Sequence, residues 1–133
     1  MIGYVTLGTN DLARAIGFYD TLLAELGTKQ MWATDRRAIW GTPATPCLMV
    51  TKPFDNQPAN PGNGTMVALL APSTEMVGKV YMKALSLGAK DEGAPGYRGD
   101  EAQSPRFYGA YFRDLDGNKI TVFRMVSKQN SVA

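Results

Sequence analysis

The first part of the chain combines one strand-like segment with one helical segment. Residues 2–8 are rich in β-branched side chains and partly alternate apolar with polar positions, a pattern typical of a β-strand. Residues 11–26 carry apolar side chains at steps of three and four, which predicts a helix with one apolar face. Asn10 is the expected N-cap, and Gly27 suits the left-handed conformation that ends a helix.

The same succession of elements returns in the second half of the chain. Residues 65–71 predict a second strand and residues 74–87 a second amphipathic helix, with Ser73 as its N-cap and Gly88 at its end. A shift of 62 residues aligns Val5 with Val67, Leu7 with Leu69 and Tyr19 with Tyr81. Strand, cap, helix and glycine in one register indicate an internal repeat of one supersecondary unit.

Further strands are predicted after the first helix. They lie at residues 29–34, 37–41 and 47–52, separated by turn residues. The polar segment 56–64 is interrupted by Pro and Gly, which predicts a linker between the two halves.

After the second helix the pattern is less regular. Residues 91–105 contain several Gly and Pro and predict an irregular stretch, which two strands at 107–113 and 119–125 follow. The segment 114–118 between these strands is a strong turn signal. The polar tail from Ser127 is expected to fray.

Composition excludes several classes of function. With 44% apolar and 20% charged residues, the 133-residue chain has the composition of a globular domain, and its net charge of +2 is too small and scattered to indicate nucleic-acid binding. No apolar run is long enough for a membrane span and no signal pattern leads the chain, so a cytoplasmic location is expected. The lone Cys47 excludes an intrachain disulfide and any multi-cysteine metal site.

Histidine is missing from the sequence. It is the commonest metal ligand among side chains and the usual acid–base group near neutral pH. Its absence excludes histidine-based catalytic triads and two-histidine metal sites. Any chemistry must therefore use carboxylates, tyrosines, lysines, arginines or the single thiol.

Three local sequences together resemble one known family. They are Tyr4–Leu12 with the helix that follows, Gly64–Ala68 before the second helix, and Tyr108–Ile120 with its Asp-Gly-Asn turn. This pattern resembles the vicinal-oxygen-chelate superfamily of glyoxalases, bleomycin-resistance proteins and dioxygenases. The resemblance implies an α+β fold of two βαβββ modules, residues 1–57 and 63–126, in a single glyoxalase-like domain. It further implies sheets curved around a shared cavity, with a helix on each outer face.

The resemblance also locates the positions of the family's metal ligands. They fall at Tyr4, Met66 and Thr121, where the family usually carries two histidines and a glutamate, and the strand of the further ligand offers only Cys47. A phenol, a thioether and a hydroxyl are poor ligands for hard divalent ions. We therefore expect no metal and no cofactor. Tyr4, Met66 and Thr121 are expected to line one cavity.

Other side chains are candidates for contact with a ligand. The full set of predicted ligand-binding residues is Tyr4, Trp32, Trp40, Cys47, Met49, Met66, Arg106, Tyr108, Tyr111 and Thr121. Aromatic side chains on strands serve equally well for core packing, and a single cysteine is commonly a small buried apolar residue. The arginines that are candidates for holding an anion are Arg36, Arg37, Arg106 and Arg113.

Two functions of different classes fit these features. The first is metal-free binding or sequestration of a small molecule, as in the bleomycin-resistance branch. The alternative is a glyoxalase-like lyase or isomerase with an atypical or metal-independent site, which would need hydrogen bonds to supply the stabilisation that a metal normally provides. A purely structural dimerisation module is a third possibility. In each case a homodimer is expected, because curved four-stranded sheets leave apolar surface and strand edges to be covered.

Overall fold

The computed structural model describes residues 1–128, which form eight strands and two helices. The first module consists of β1 (Tyr4–Gly8), α1 (Leu12–Ala24), β2 (Gln30–Ala33), β3 (Arg37–Trp40) and β4 (Cys47–Thr51). The second module consists of β5 (Val67–Leu70), α2 (Thr74–Ser86), β6 (Lys90–Arg98), β7 (Arg106–Arg113) and β8 (Lys119–Val126). The predicted α+β fold of two βαβββ units is thus confirmed.

Each module forms its own four-stranded sheet with the same topology. The strand order is β1-β4-β3-β2 in the first sheet and β5-β8-β7-β6 in the second. The opening strand of each module pairs in parallel with the last, and all other pairs are antiparallel. The helix carries the chain from the opening strand to the far edge of the sheet, and the next three strands lead back to it. The last strand therefore runs parallel to the opening strand.

The caps of the helices differ in part from the prediction. Ser73 caps α2 as expected, accepting a hydrogen bond from the backbone N of Met76. In α1 the cap is Asp11, not Asn10, and the Asp11 carboxylate accepts from the backbone N of Arg14 at 3.1 Å. Asn10 instead exchanges two hydrogen bonds with the backbone of Ala59 in the linker. The side chain thus ties the linker to the start of α1.

The prediction of an irregular stretch at 91–105 is wrong for its first half. Residues up to Arg98 belong to β6, which pairs with β7 through two register shifts around Gly93 and Gly96. Gly93 has a φ of +153°, which a side chain rarely adopts. Because β6 is an edge strand with bulges, it tolerates Pro95 and the glycines that normally interrupt a strand.

One hydrophobic core joins the two modules. It collects the inward side chains of both helices and of both sheets, including Phe18, Trp40, Val80 and Phe112. The two helices contact each other, with Lys83 Nζ 3.7 Å from Glu25 Oε1. Each sheet therefore places its helix-bearing face toward the common core and leaves its other face free of helices.

The two helix-free faces are called the first and the second open face. The first is formed by alternate residues of β1, β2, β3 and β4: Tyr4, Thr6, Trp32, Arg37, Ile39, Cys47, Met49 and Thr51. The second is formed by alternate residues of β5, β7 and β8: Ala68, Leu70, Phe107, Tyr111, Thr121, Phe123 and Met125. The expected arrangement, with both sheets around one cavity and the helices outside, does not hold within a single chain because the modules meet through their helix-bearing sides.

A buried tyrosine–aspartate pair links the modules. The hydroxyl of Tyr19 on α1 donates to Asp114 Oδ2 in the β7–β8 turn at 2.6 Å. Burial raises the pKa of Tyr19 well above its usual value of 10.0, and the Asp114 carboxylate adds to this effect.

The tail predicted to fray from Ser127 lies for the most part outside the described residues.

The raised pKa of Tyr19 predicts a loss of stability at alkaline pH. Above pH 10.0 the unfolded chain loses the tyrosine proton while the folded chain keeps it, so the stabilisation is complete below that pH and disappears as the pH rises toward the folded pKa. Urea unfolding across this range should show a decline that Tyr19→Phe reduces. Some decline should remain, because burial and Asp91 also raise the pKa of Tyr81. An equal decline in the variant would contradict the prediction.

Candidate functional site

A depression of about 500 Å³ lies on the first open face. It is lined by Tyr4, Thr6, Trp32, Arg37, Ile39, Met49, Thr51, Lys52 and Phe54. The register of the sheet explains this set, because Ile39 lies opposite Met49 and Arg37 opposite Thr51. Apolar and aromatic side chains form most of the surface, and Arg37, Thr51 and Lys52 lie together toward one end of it.

Two cations border this depression, Arg37 on β3 and Lys52 just after β4. The half-buried Arg37 side chain makes no hydrogen bond or ion pair with any residue of the described range 1–128. The neighbouring Arg36 is engaged, donating to the Pro53 carbonyl at 2.8 Å and to Asn56 Oδ1 at 2.9 Å. Of these two adjacent arginines, only Arg37 offers its guanidinium to a ligand.

The second open face carries a row of stacked aromatic rings. Phe107 stacks on Phe123 with ring centroids 5.3 Å apart and on Tyr111 at 6.3 Å. The charged ends of Arg98 and Lys119 each lie 5.5 Å from the centre of the Tyr111 ring. Cations above aromatic rings are attracted by the negative face of the ring. This face is thus apolar in its middle and basic at its margins.

A second depression, of about 840 Å³, lies between the linker and one end of the second sheet. Met66 lines it together with linker residues from Pro61 onward and with Lys90, Glu92, Arg113 and Lys119. Arg113 Nε donates to Glu92 Oε1 at 2.6 Å. This ion pair lowers the pKa of Glu92, chiefly through the hydrogen bond from Arg113. Arg113 is therefore already neutralised and is a weak candidate for holding an anion.

The comparisons identify the family. The model of the Glyoxalase/Bleomycin resistance protein/Dioxygenase superfamily matches residues 1–122. The chain belongs to this superfamily. A comparison with curated proteins yields no match.

Solved structures of superfamily members have the same fold. A glyoxalase/bleomycin resistance protein from Albidiferax ferrireducens T118 is 35% identical, with a TM-score of 0.82 over 92% of this chain and 97% of that one. A family enzyme from Burkholderia phytofirmans PsJN is 16% identical, with a TM-score of 0.73 over 93% and 98%. A glyoxalase-related enzyme from Fulvimarina pelagi is 16% identical, with a TM-score of 0.70 over 92% and 86%. The last two similarities concern the fold alone.

The superfamily's metal positions do not fit a divalent ion in this chain. Tyr4 lies on the first open face and Met66 beside the second sheet, so they line different depressions. Thr121 is 1% exposed, and its hydroxyl donates to the Ala110 carbonyl at 2.9 Å. Within residues 1–128 no three His, Cys, Asp or Glu side chains are grouped as metal ligands. The expectation that Tyr4, Met66 and Thr121 line one cavity is therefore wrong for the single chain.

The other predicted ligand-binding residues divide between the two sides of the sheets. Trp32 and Met49 line the first depression, and Tyr111 lies on the second open face. Trp40 is buried in the core, where its indole N–H donates to Asp20 at 2.8 Å, and Tyr108 packs against the same core. These last two rings face the helices, so neither lies on an open face.

Cys47 and Arg106 occupy the margins of the sheets. Cys47 lies on the first open face, with Sγ 3.9 Å from Met31 Sδ and 3.3 Å from the Thr42 carbonyl. Arg106 lies over the ring of Tyr97 at 4.8 Å, and its Nη2 donates to the Gly99 carbonyl at 3.1 Å. Arg106 therefore stabilises the end of β6 and is not directed at either depression described above.

The prediction missed several residues of the open faces. Phe123 lies two residues after Thr121 and Phe107 four residues before Tyr111, so alternation places each ring on the same side of its strand as the predicted residue. A strict period-two assignment would have placed both rings beside the predicted residues. Phe54 and Lys52 carry no such signal, because they follow the end of β4 in a turn.

Proposed function

We propose that this protein binds a small, partly aromatic molecule without a metal ion, and that it sequesters the molecule without transforming it. The observation that carries the proposal is the composition of the first depression, where Tyr4, Trp32, Met49 and Phe54 are grouped around one concave surface. Aromatic rings bind flat ligands by stacking, and the thioether of Met adapts to irregular shapes. Poor metal ligands at the superfamily's metal positions favour binding over metal-dependent lyase chemistry.

A second copy of the chain is proposed to complete the binding site. The open faces expose large apolar side chains, among them Tyr4 at 58% and Leu70 at 65%. Exposed apolar surface of this kind marks an interaction site. The two sheets are repeats of one unit, so the first open face of one copy can meet the second open face of another, twice, around a twofold axis. Such an interface would bury on the order of 2,000 Å² or more.

We further propose that the protein binds its small molecule inside the cell and has no nucleic-acid partner. None of the helices within residues 1–128 is long and apolar enough to cross a membrane. The cytoplasmic location stays a prediction that fractionation of the producing cells can test.

Removal of divalent metal is expected to leave ligand binding unchanged. The neutral dye N-phenyl-1-naphthylamine, which fluoresces in apolar surroundings, should bind the EDTA-treated protein as tightly as protein supplied with Zn²⁺, Ni²⁺ or Mn²⁺. These ions should also leave the melting temperature unchanged. An ion that bound the native protein would stabilise it and raise the melting temperature. Trp32→Ala should weaken dye binding by about tenfold through the loss of a stacking surface.

The matched control for Trp32 is Met82→Ala, which removes an exposed apolar side chain from α2, away from the open faces. This variant should bind the dye like the wild type. Absence of dye binding, or an equal loss in both variants, would contradict the proposed binding site. A clear rise in melting temperature at low micromolar metal would contradict metal independence and would favour the lyase or isomerase alternative.

A further inference from the structure

The charges of the first open face are unbalanced. Arg37 and Lys52 line its depression, and within the described residues no carboxylate does. The whole chain, by contrast, carries 14 basic and 12 acidic side chains. The depression is therefore locally basic in a protein that is close to neutral. A concave surface with charges of one sign attracts ligands of the opposite sign.

The state of Arg37 distinguishes it from most arginines of the chain. Arg14 pairs with Asp116, Arg113 pairs with Glu92, and Arg98 donates to the Ala94 carbonyl at 2.7 Å. Arg37 has no such partner within residues 1–128, although it is half-buried. A half-buried guanidinium loses part of its hydration and gains from a charge-assisted hydrogen bond. Its planar set of donors matches the two oxygens of a carboxylate.

The surroundings of Arg37 define the rest of the ligand. Ile39 and Met49 form an apolar surface beside it, and Trp32 lies opposite Ile39 on the next strand. Trp32 is 42% exposed and offers its ring as a stacking surface. The volume of about 500 Å³ has room for a molecule of one or two rings. A flat apolar body with one negative end would match both the aromatic wall and the cation.

We propose that the depression on the first open face takes a planar aromatic carboxylate, with the Arg37 guanidinium binding the carboxylate and Trp32 contacting the ring. This rests on the proposed function of small-molecule binding and names the chemical class of the ligand. In the proposed dimer the partner's second open face would add further positive charge, since Arg98 and Lys119 flank the ring of Tyr111. The completed site would therefore favour anionic ligands over cationic ones.

Calorimetric titration with three probes of one shape tests the charge preference. The probes are 2-naphthoate, the neutral 2-naphthamide and the cationic 2-naphthylmethylammonium. The wild-type protein should bind 2-naphthoate about tenfold more tightly than the amide, in line with one hydrogen-bonded ion pair, and the cation most weakly. Arg37→Gln should lower the affinity for 2-naphthoate by about tenfold and leave that for the amide unchanged. Arg37→Lys keeps the positive charge and should retain part of the preference for 2-naphthoate over 2-naphthamide.

Arg124→Gln is the matched control, since it removes the same charge from an exposed position on β8. It should keep the preference for 2-naphthoate. Equal binding of the acid and the amide by the wild type, or an equal effect of the two arginine variants, overturns the inference and leaves the proposed binding function intact. Loss of the dimer in Arg37→Gln would assign the arginine to the subunit interface and also overturn it. If the wild-type protein binds none of the three probes and does not bind N-phenyl-1-naphthylamine, the proposed function itself is contradicted.

Discussion

Replacing Leu70 with lysine is expected to convert the proposed dimer into a monomer. Leu70 lies on β5 at the second open face and is 65% exposed in the single chain. In the dimer it would be covered by the first open face of the partner, so the new ammonium group would lose its hydration against a surface whose charges, Arg37 and Lys52, are also positive. Burial of an uncompensated charge costs about 3–5 kcal/mol, which weakens association by more than about 100-fold.

Light scattering at low micromolar concentration measures this effect directly. The wild-type protein should have twice the chain mass of 14.4 kDa, and Leu70→Lys should have the mass of one chain. The matched control is Met82→Lys, which introduces the same charge at a comparably exposed apolar position, 62% exposed, on α2. It should remain a dimer. A wild-type protein of single-chain mass, or dissociation of both variants, would refute pairing through the open faces.

Replacing Asp114 with alanine is expected to cause the largest loss of folding stability. The Asp114 carboxylate is buried and accepts hydrogen bonds from the Tyr19 hydroxyl at 2.6 Å and from Asn118 Nδ2 at 3.0 Å. It also accepts from the backbone N of Asp116 and of Asn118, each at 2.9 Å. Alanine would leave buried donors without an acceptor and would loosen the turn that connects the second module to α1. The expected loss is about 3–5 kcal/mol in the free energy of unfolding.

Urea unfolding followed by circular dichroism gives this free energy. Asp100→Ala is the matched control, because within residues 1–128 the exposed Asp100 carboxylate accepts only from the backbone N of Ala102 in a surface turn. Its stability should change by less than about 0.5 kcal/mol. Tyr19→Phe should lose about 1–2 kcal/mol, since it removes one hydrogen bond and keeps the ring in the core. Equal stability of Asp114→Ala and Asp100→Ala would show that the buried network does not hold the modules together.

Local sequence patterns predicted the elements whose formation depends on neighbouring residues in the chain. The spacing of Leu12, Ala15, Tyr19 and Leu22 predicted a helix because one helical face repeats every three to four residues, and the structure buries these side chains in the core. The repeat of strand, cap, helix and glycine predicted two equivalent modules for the same reason. The edge strand β6 escaped prediction because bulges and pairing with β7 override the local preference of its glycines and proline.

The candidate site could be predicted only in part. Trp32 and Met49 were assigned to the pocket and do line the first depression, whereas Trp40 was assigned with them and faces the core. All three are large apolar side chains that suit either a pocket or a core. Residue type alone therefore does not show which side of the strand each occupies. A bulge between Gln30 and Trp32 shifts the register, so alternation along β2 does not settle the side either.

Both helices, most of the strands, the internal repeat, the family resemblance and the poor metal ligands at Tyr4, Met66 and Thr121 follow from the sequence alone, because each depends on residue identity and on spacing along the chain. How the two modules meet depends on contacts between residues that are distant in sequence. The contact of α1 with α2 and the bond from Tyr19 to Asp114 join residues far apart in sequence, and they turn the helix-bearing sides of both sheets into one core. As a result Tyr4 and Met66, which the repeat makes equivalent, lie on different faces of the chain. Burial of apolar surface between modules depends on geometry in space, which no local pattern encodes.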